Sequence, residues 1–550
     1  MRTIFCSEQV FTGAEDRVLP LCIVVENARI TAVFPLDELQ QHRRPDDEIV
    51  DFGTAFICPG FHDAHEHVLD AALFPSACAE EYAGSSEEDC VAHMVAFAKT
   101  HPGSSWLLSH GWRDNLWNPP VAPTRASLDN AFPYRPVAMY SGDGHTVWTN
   151  SKGLAKLGLT DESEPPVGGS YDRDEAGHLT GVLREAAGME AMAAILGSFT
   201  AEELVPIYEA YFQRLNALGI TAVCDMALSL IPGADGIRPD VYEALEAAGA
   251  LRVRAHLFPT LTDDQSNLEH LQERLEGDYI RAPGFKQFFD GVSSQHTAWC
   301  SEPYENPRFE GDCGRPTVAP ERMRTLVLGA AARGHAVRIH AIGDKAVHCA
   351  AEIFAEAFDR YGDPTQGANT IEHLEDICSE DIDLMARAHV IASVQPPHIV
   401  IDTTQPDRDL GEKRAARMWP FDTLNKAGVT LAFGTDAPVV SPDSREVLYS
   451  AIVRKDPKTH LPKDGWHSEH NLGRAEALRA YSLGSAAAVG RMHDLGMLQP
   501  GYLADFAVWD TNLLTCPADA ILDAHTMATY VGGTCVYRAS CASGNERNHA

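Results

Sequence analysis

Eight short apolar runs recur along this chain, and several are separated by stretches that predict helices. The runs cover 57–61, 220–225, 252–257, 285–289, 336–340, 369–372, 390–395 and 429–434. Runs of this length, rich in β-branched and aromatic residues and bounded by turn residues, predict buried strands. Helical patterns lie between them at 202–218, 265–276, 319–334, 344–361 and 378–388. Eight such strands alternating with helices predict an α/β fold, a (β/α)8 TIM-like barrel.

Five of these runs contain or directly precede side chains that can bind a metal ion. In chain order, the ligand-capable residues are His65, His67, Lys286, His340, His373 and Asp436. About one H-x-H spacing is expected by chance among 24 histidines in 550 residues. The evidence for a metal site is therefore the whole series of ligand-capable residues in order, and not this pair alone. Residues i and i+2 of an extended segment share a face, which lets His65 and His67 reach one ion. Because barrels of this type build their sites where strands end, the set predicts a metal centre.

The barrel pattern does not run continuously from the start of the chain. Residues 1–56 and 490–540 alternate apolar and polar positions, which predicts strands at both ends. About 150 residues separate the first two runs, far more than a usual crossover needs. We therefore expect a barrel of 57–71 plus 201–489, an inserted subdomain of 72–200 over its mouth after strand one, and a flexible tail at 541–550.

An ordered chain of motifs resembles the amidohydrolase superfamily, and within it the amidohydrolase family 3 branch that includes N-substituted formamide deformylase. The resemblance covers almost the whole chain. Besides the ligand set, it rests on Asp143-Gly144-His145, 181–185, Asp290-Gly291, 340–344, 371–373, 434–438 and 500–505. One departure is His62, where similar proteins carry an aliphatic residue. His62 either adds a polar group near the metal ligands or has no role in the site.

The resemblance implies an architecture and a division of the ligands. The two chain ends, 1–56 and 490–540, would pack as a composite β-sandwich beside the barrel. His65 and His67 would bind the more buried ion, and His340 and His373 a second. Asp436 would bind the first ion and also move the proton. Zinc, as one or two ions, is the expected cofactor.

Lys286 needs its own explanation, because an ammonium group beside cations is repelled. Carboxylation by CO2 would turn Lys286 into an anionic carbamate able to bridge two ions, and similar enzymes place such a lysine on strand four. Glu185 is the rival bridging ligand, since members of this branch carry a glutamate in that motif. We favour Lys286.

The predicted chemistry is hydrolysis of a C–N bond. Zinc lowers the pKa of its water toward roughly 7, which makes hydroxide available at neutral pH. Asp436 would accept a proton and pass it to the leaving nitrogen, because an amine leaves poorly unless protonated. His145 and His296 are candidates for orienting the carbonyl or the leaving group. The expected enzyme cleaves a linear amide, most specifically an N-substituted formamide, to formate and an amine.

Two alternatives stay open at this point. One is a deaminase, or a hydrolase of another amide or cyclic substrate, on the same scaffold; Lys286 counts against the deaminase. The other is a non-catalytic regulatory protein, since a fold does not fix a function. The complete ligand set favours the enzyme.

Charge and composition limit the possible partners. The net charge of −34 repels phosphate backbones and anionic membranes. We therefore expect a small amide substrate and neither a nucleic-acid nor a membrane partner. The chain contains no run of 18 apolar residues, its first residues lack a signal-peptide pattern, and its 13 cysteines never form C-x-x-C. We expect reduced thiols, a cytoplasmic location and a homo-oligomer, a dimer.

Overall fold

The fold is described by a computed structural model that covers residues 2–103, 105–142, 146–166, 169–228, 235–275 and 277–540. The predicted tail at 541–550 and the motif Asp143-Gly144-His145 lie outside these residues. The chain divides into two compact units. One consists of Met1–His67, Phe212–Leu230 and Glu246–Ala550, and the other of Val68–Tyr211 and Ile231–Leu245. The predicted boundaries between sandwich, barrel and insert stay predictions.

The strands are numbered in chain order. They are β1 (Arg2–Val10), β2 (Leu19–Glu26), β3 (Arg29–Pro35), β4 (Glu48–Asp51), β5 (Phe56–Pro59), β6 (Phe61–Glu66), β7 (Leu107–Trp112), β8 (Val137–Ser141), β9 (Thr146–Thr149), β10 (Gly169–Arg173), β11 (Leu179–Glu185), β12 (Ile220–Met226), β13 (Arg254–Phe258), β14 (Ile280–Arg281), β15 (Gly284–Phe288), β16 (Ala336–Ala341), β17 (Thr370–His373), β18 (Ile391–Val394), β19 (Leu431–Phe433), β20 (Phe506–Trp509), β21 (Thr526–Val531) and β22 (Thr534–Arg538).

The α-helices are numbered in the same way. They are α1 (Leu39–His42), α2 (Val68–Ala77), α3 (Glu87–Thr100), α4 (Arg125–Ala131), α5 (Ser151–Lys156), α6 (Ala186–Gly197), α7 (Ala201–Ala217), α8 (Pro239–Ala247), α9 (Ser266–Arg274), α10 (Pro320–Ala332), α11 (Asp344–Tyr361), α12 (Ser379–Arg387), α13 (Gln405–Leu410), α14 (Glu412–Ala415), α15 (Phe421–Lys426), α16 (Ser444–Val453), α17 (Arg474–Arg479) and α18 (Ser485–Ala488). The five helices predicted between the apolar runs are present as α7, α9, α10, α11 and α12. None of the described helices is both long and apolar enough to cross a membrane.

Eight parallel strands of the larger unit form a TIM-barrel-like arrangement. β6, β12 and β13 lie side by side, with the short β14 at their edge, and β15 to β19 form a second parallel sheet in sequence order. Isolated parallel bridges join Glu66 to Ala437 and Thr260 to Lys286, at the edges of the two sheets. The strands therefore follow one another around a ring, although their ladders form two sheets and not one closed barrel.

Both ends of the chain contribute to a third, mixed sheet in this unit. Its order is β22-β21-β20-β5-β1-β2-β3, with β4 also paired to β1. Side chains that alternate along the strands form a buried apolar cluster on each face of this sheet. Phe5, Ile23 and Val508 belong to one cluster, and Ile4 and Val24 belong to the other. Burial of both faces explains why the central strands β5 and β20 are apolar at every position.

The first predicted strand, 57–61, is wrong in its bounds. The structure breaks it at Gly60 into β5, which pairs with β1 and β20, and β6, which pairs with β12. A Cβ atom at Gly60 would lie 2.3 Å from Thr221 Oγ1, so the crossing between the two sheets needs glycine.

The second unit contains its own sheet and core. Its strand order is β10-β11-β9-β8-β7. Trp112, Trp148 and Met139 pack in one buried cluster with residues of α3 and α4. The indole of Trp112 donates a hydrogen bond to the Met139 carbonyl at 2.9 Å. These tryptophans therefore serve the core of the unit.

Candidate functional site

Three buried ligand-capable side chains meet where β6 and β19 end. The Nε2 atoms of His65 and His67 lie 3.5 and 3.2 Å from Oδ1 of Asp436. The two backbones hold this geometry, because Asp436 N–H donates to the His65 carbonyl at 2.7 Å and His67 N–H donates to the Ala437 carbonyl at 2.9 Å. The structure thus brings together residues that are about 370 positions apart.

Gly434 permits this close approach. A Cβ atom at Gly434 would lie 2.6 Å from the His65 backbone nitrogen and 2.8 Å from the His65 Cβ. Both distances are shorter than real Cβ contacts, and neither neighbouring atom belongs to a flexible side-chain end. A larger residue would therefore push β19 and Asp436 away from His65.

The two histidines are held by hydrogen bonds on their other ring nitrogen. Nδ1 of His65 lies 2.5 Å from Oε2 of Glu372, and Nδ1 of His67 lies 2.9 Å from the Met226 carbonyl. Both acceptors fix a tautomer that carries its proton on Nδ1 and leaves Nε2 free to bind an ion. Among the described residues, His65 Nε2 is buried without a hydrogen-bond partner.

A buried ion pair between Glu372 and Arg338 lies at the Nδ1 side of the His65 ring. Oε1 of Glu372 accepts from Nε of Arg338 at 2.5 Å, and neither side chain is exposed. Burial alone would raise the pKa of Glu372, but Arg338 and His65 outweigh it and lower that pKa to about 2. Glu372 is therefore a carboxylate at any physiological pH.

Burial keeps His65 neutral, and the surrounding histidines keep Asp436 charged. Burial, aided by Lys286, lowers the pKa of His65 to about 4 against the opposing charges of Glu372 and Asp436. Burial would raise the pKa of Asp436, yet the surrounding His65, His67 and His373 hold it well below its usual value. Neutral imidazole and ionised carboxylate are the forms that bind metal ions.

His340 and His373 lie beside this group. Their ring centroids are 4.5 Å apart, and the His373 ring is 4.9 Å from that of His65. His373 Nδ1 lies 2.9 Å from Oε1 of Gln395, while His340 Nε2 lies 3.1 Å from the Gly291 carbonyl. Burial lowers the pKa of both histidines. These contacts use one ring nitrogen of each histidine, and the other ring nitrogen is the one that would bind an ion.

Two of these residues adopt a backbone conformation that non-glycine residues avoid. The φ angles of His373 and Asp436 are 69° and 60°. Conformations of this kind cost about 1–3 kcal/mol each and occur where the surrounding structure imposes them, often at functional sites. Both lie at or just after the carboxyl end of a barrel strand, where a barrel builds its site.

Lys286 lies in β15 with its ammonium group inside the protein. Its Nζ is 4.4 Å from the Phe288 ring centroid and has no hydrogen-bond partner within the described part of the chain. Burial lowers the pKa of Lys286 to about 8, opposed by the charges of Glu372 and Asp436. An amine of this pKa is partly neutral near pH 7, which is the form that reacts with CO2.

His398 also lies at the site, although the sequence motifs did not indicate it. Its Nε2 lies 3.9 Å from Oδ2 of Asp436, and its ring is parallel to that of His373 at 6.2 Å. His398 follows strand β18 by four residues, after Gln395-Pro396-Pro397. The rule that found the other ligands, a ligand-capable residue after an apolar run, would have found it in a slightly wider window.

The remaining predicted site residues are His296, Glu185 and His145. His296 Nδ1 pairs with Asp312 at 2.8 Å, and its ring stacks on Tyr304, so the structure gives it other partners than Asp436. Glu185 ends β11 in the second unit, where it is exposed. His145 lies outside the described residues. The structure therefore gathers His65, His67, Lys286, His340, His373 and Asp436.

The donor geometry fits a metal ion. In a tetrahedral site with bonds of about 2.1 Å, neighbouring nitrogen and oxygen ligands are about 3.4 Å apart. The distances from Asp436 Oδ1 to the two Nε2 atoms, 3.2 and 3.5 Å, lie on either side of that value. A carboxylate between two imidazoles, with one buried nitrogen that lacks a partner among the described residues, is an arrangement that a cation would complete.

The family model described as amidohydrolase family matches residues 48–537. The chain belongs to the amidohydrolase family. The resemblance drawn from the sequence motifs is therefore confirmed, and the protein is a hydrolase that acts on carbon–nitrogen bonds.

Individual amidohydrolases and relatives align along most of the chain. Protein LONG AFTER FAR-RED 3 of Arabidopsis thaliana is 27% identical, over 97% of this chain and 90% of its own. N-substituted formamide deformylase of Arthrobacter pascens is 22% identical, over 94% of both. The crystal structure of an uncharacterized metal-dependent hydrolase from Pyrococcus furiosus shares 26% identity, with a TM-score of 0.76, over 94% of this chain and all of that one (100%).

Proposed function

We propose that this amidohydrolase cleaves a linear amide, most specifically an N-substituted formamide, into formate and an amine. The observation that carries the proposal is the cluster of His65, His67 and Asp436, whose donor atoms are spaced for one ion. The choice of substrate is supported by the similarity, along nearly the whole chain, to a relative named as N-substituted formamide deformylase.

Zinc is the proposed cofactor, because imidazole nitrogens dominate the donor set. His65, His67 and Asp436 would hold one ion, and His340 and His373 a second. Bound zinc would supply Lewis acidity and lower the pKa of a water in the site.

Asp436 has the position and charge to move the proton. It is 7% exposed and ionised, and both its oxygens face histidines. Oδ2 faces His373 and His398 at 3.9 Å, on the side away from the contacts of Oδ1. Asp436 accepts a proton as water attacks the carbonyl carbon. It then gives that proton to the nitrogen as the C–N bond breaks, so formic acid and a neutral amine leave. In water at neutral pH the formic acid passes its proton to the amine, which gives formate and an ammonium ion.

Lys286 is the proposed bridging residue in its carboxylated form. Its buried Nζ lacks a hydrogen-bond partner among the described residues, and it lies close enough to His65 and His340 to lower the pKa of both. A carbamate would replace this repulsion by attraction and add two oxygen donors. Glu185 remains the rival in this proposal.

The proposal also includes the arrangement of the domains, the cellular location, the oligomeric state and the partners. We expect a (β/α)8 TIM-like barrel, a composite β-sandwich from both chain ends, and an inserted subdomain over the barrel mouth. We also expect a cytoplasmic dimer that takes a small amide and binds neither nucleic acid nor membranes.

The experiment is product release from N-benzylformamide by zinc-loaded protein, with formate and benzylamine measured separately. We expect both products in equal amounts, no release after chelation, and recovery when zinc is restored. N-benzylacetamide is the matched control, since it differs only in the acyl group. Cleavage of the acetamide and not the formamide would move the proposal to another acyl class. No cleavage of either by metal-replete protein would reject the linear benzylamides.

A further inference from the structure

A second group of metal-ligating side chains lies inside the larger unit, apart from the site above. His62 on β6, Cys224 on β12 and His256 on β13 come from three adjacent parallel strands. One ligand atom from each lies within 4.8 Å of the others. The side chains are fully enclosed, with 3%, 0% and 0% of their residue surface exposed.

The polar atoms of this group lack ordinary partners. Among the described residues, Nδ1 of His62 and both ring nitrogens of His256 are buried without a hydrogen bond of normal geometry. Leaving a buried polar group without a hydrogen bond is energetically unfavourable. Three such atoms in one cluster are hard to explain unless something else binds them.

The contact between Cys224 and His62 has the length that a shared ion would give. Sγ of Cys224 lies 3.5 Å from Nε2 of His62. For a tetrahedral zinc with Zn–S of about 2.3 Å and Zn–N of about 2.05 Å, the sulfur-to-nitrogen distance is about 3.5 Å. The two imidazole rings are nearly parallel, with centroids 4.9 Å apart, so both can turn a nitrogen toward the sulfur.

We propose that His62, Cys224 and His256 bind one soft or borderline transition-metal cation through a thiolate and two imidazoles. Thiolate favours zinc and cuprous copper, and imidazole binds both. This site is separate from the one at Asp436. Cys224 precedes Met226, the acceptor of the His67 hydrogen bond, by two residues, which is about 7 Å along β12.

The neighbouring charges favour the same conclusion. Burial lowers the pKa of His62 to about 3 and that of His256 well below its usual value, so both rings are neutral and able to bind an ion. Arg338 lies beside Cys224 and opposes the rise in its pKa that burial causes. Its Nη1 is a further buried donor without a partner of normal geometry in the described structure, and a metal-bound thiolate would accept from it.

A simple thiol-to-imidazole hydrogen bond is the competing explanation of the 3.5 Å contact. It would satisfy one nitrogen of His62 and leave His256 without a side-chain partner in the described structure. A bound cation would take one ligand atom from each of the three residues. The two explanations differ in one observable, a bond between the metal and sulfur.

The test uses the full-length protein, stripped by a chelator and loaded with Co²⁺ under reducing, oxygen-free conditions. A cobalt–thiolate bond gives a charge-transfer band in the near ultraviolet, which the histidine, aspartate and lysine donors of the first site cannot give. We expect this band in the wild type. We expect Cys224→Ser and His256→Asn to lose it together with about one equivalent of cobalt, while the visible bands of the first site remain.

Cys58→Ser is the matched control, because Cys58 is equally buried in the adjoining strand β5. It should keep the band and the cobalt content. Absence of the band in fully loaded wild type, or an unchanged band in Cys224→Ser, would overturn the proposal. X-ray absorption on the wild type alone gives the same decision without a variant: sulfur among the cobalt neighbours supports the site, and only nitrogen and oxygen exclude it.

Discussion

Replacing Glu372 by glutamine tests whether the histidine of the metal site is held by a buried charge. Glu372 accepts from His65 with one oxygen and from Arg338 with the other, and all three side chains are enclosed. Glutamine keeps the shape and can still accept one hydrogen bond, but it removes the negative charge. The change therefore isolates the electrostatic part of the support.

Two effects of different size are expected. Loss of a carboxylate behind a metal-binding histidine weakens metal binding about 10–100-fold, or about 1.4–2.7 kcal/mol. Arg338 also becomes a buried charge without its partner, and breaking a buried pair in this way costs about 3–5 kcal/mol of stability. The glutamine should recover part of that cost through its remaining hydrogen bond.

The assay is zinc affinity by competition with a chromogenic chelator, followed by urea unfolding of the metal-free protein. Glu356→Gln is the matched control, because Glu356 also pairs with an arginine, Arg324, but on a partly exposed surface. There we expect little loss of stability, because exposed ion pairs contribute little, and no change in zinc affinity. An affinity within twofold of wild type in Glu372→Gln would refute the argument that Glu372 supports a metal ligand.

Three other predictions concern the same site. Asp436→Asn should lower the rate of amide hydrolysis at least about 100-fold, because it removes the proton acceptor; full activity at matched zinc content would exclude that role. Lys286→Met should lower both activity and zinc stoichiometry, and short carboxylic acids should restore part of the activity, whereas wild-type stoichiometry would favour Glu185 as the bridge. The pKa of Glu372 is lowered from 4.5 to about 2. Its ionised carboxylate therefore stabilises the fold fully above pH 4.5, and this contribution is lost as the pH falls toward 2. The stability difference between wild type and Glu372→Gln should therefore shrink over that range, and a difference independent of pH would contradict the assignment.

The barrel strands could be found from sequence because their signal is local. The run predicted at 336–340 corresponds to β16 with a difference of one residue at its C-terminal end, and the run at 390–395 corresponds to β18 with a difference of one residue at each end. Apolar side chains on both faces mark such a strand wherever it lies in the chain. The break at Gly60 could not be found in this way, because β5 is defined by its pairing with β20, about 450 residues later.

The site could be predicted only as far as its residues carry their own signal. His65, His67 and Asp436 stand out because each follows an apolar run. Glu372 lies inside a recognised motif, yet its role depends on His65 and Arg338, which are 307 and 34 residues away. The partners of a buried charge are set by tertiary contacts, so no local pattern reveals them.

The mixed sheet formed by both chain ends has a consequence for synthesis of the protein. β5 lies between β1, which is synthesised before it, and β20, which is synthesised about 450 residues later. Gly60 alone separates β5 from the strand that carries His65. A nascent chain must therefore keep one edge of β5 unpaired until residues 506–509 leave the ribosome. A chain that stops before them exposes a buried apolar strand beside the first metal ligands, and we expect such products to aggregate or be degraded.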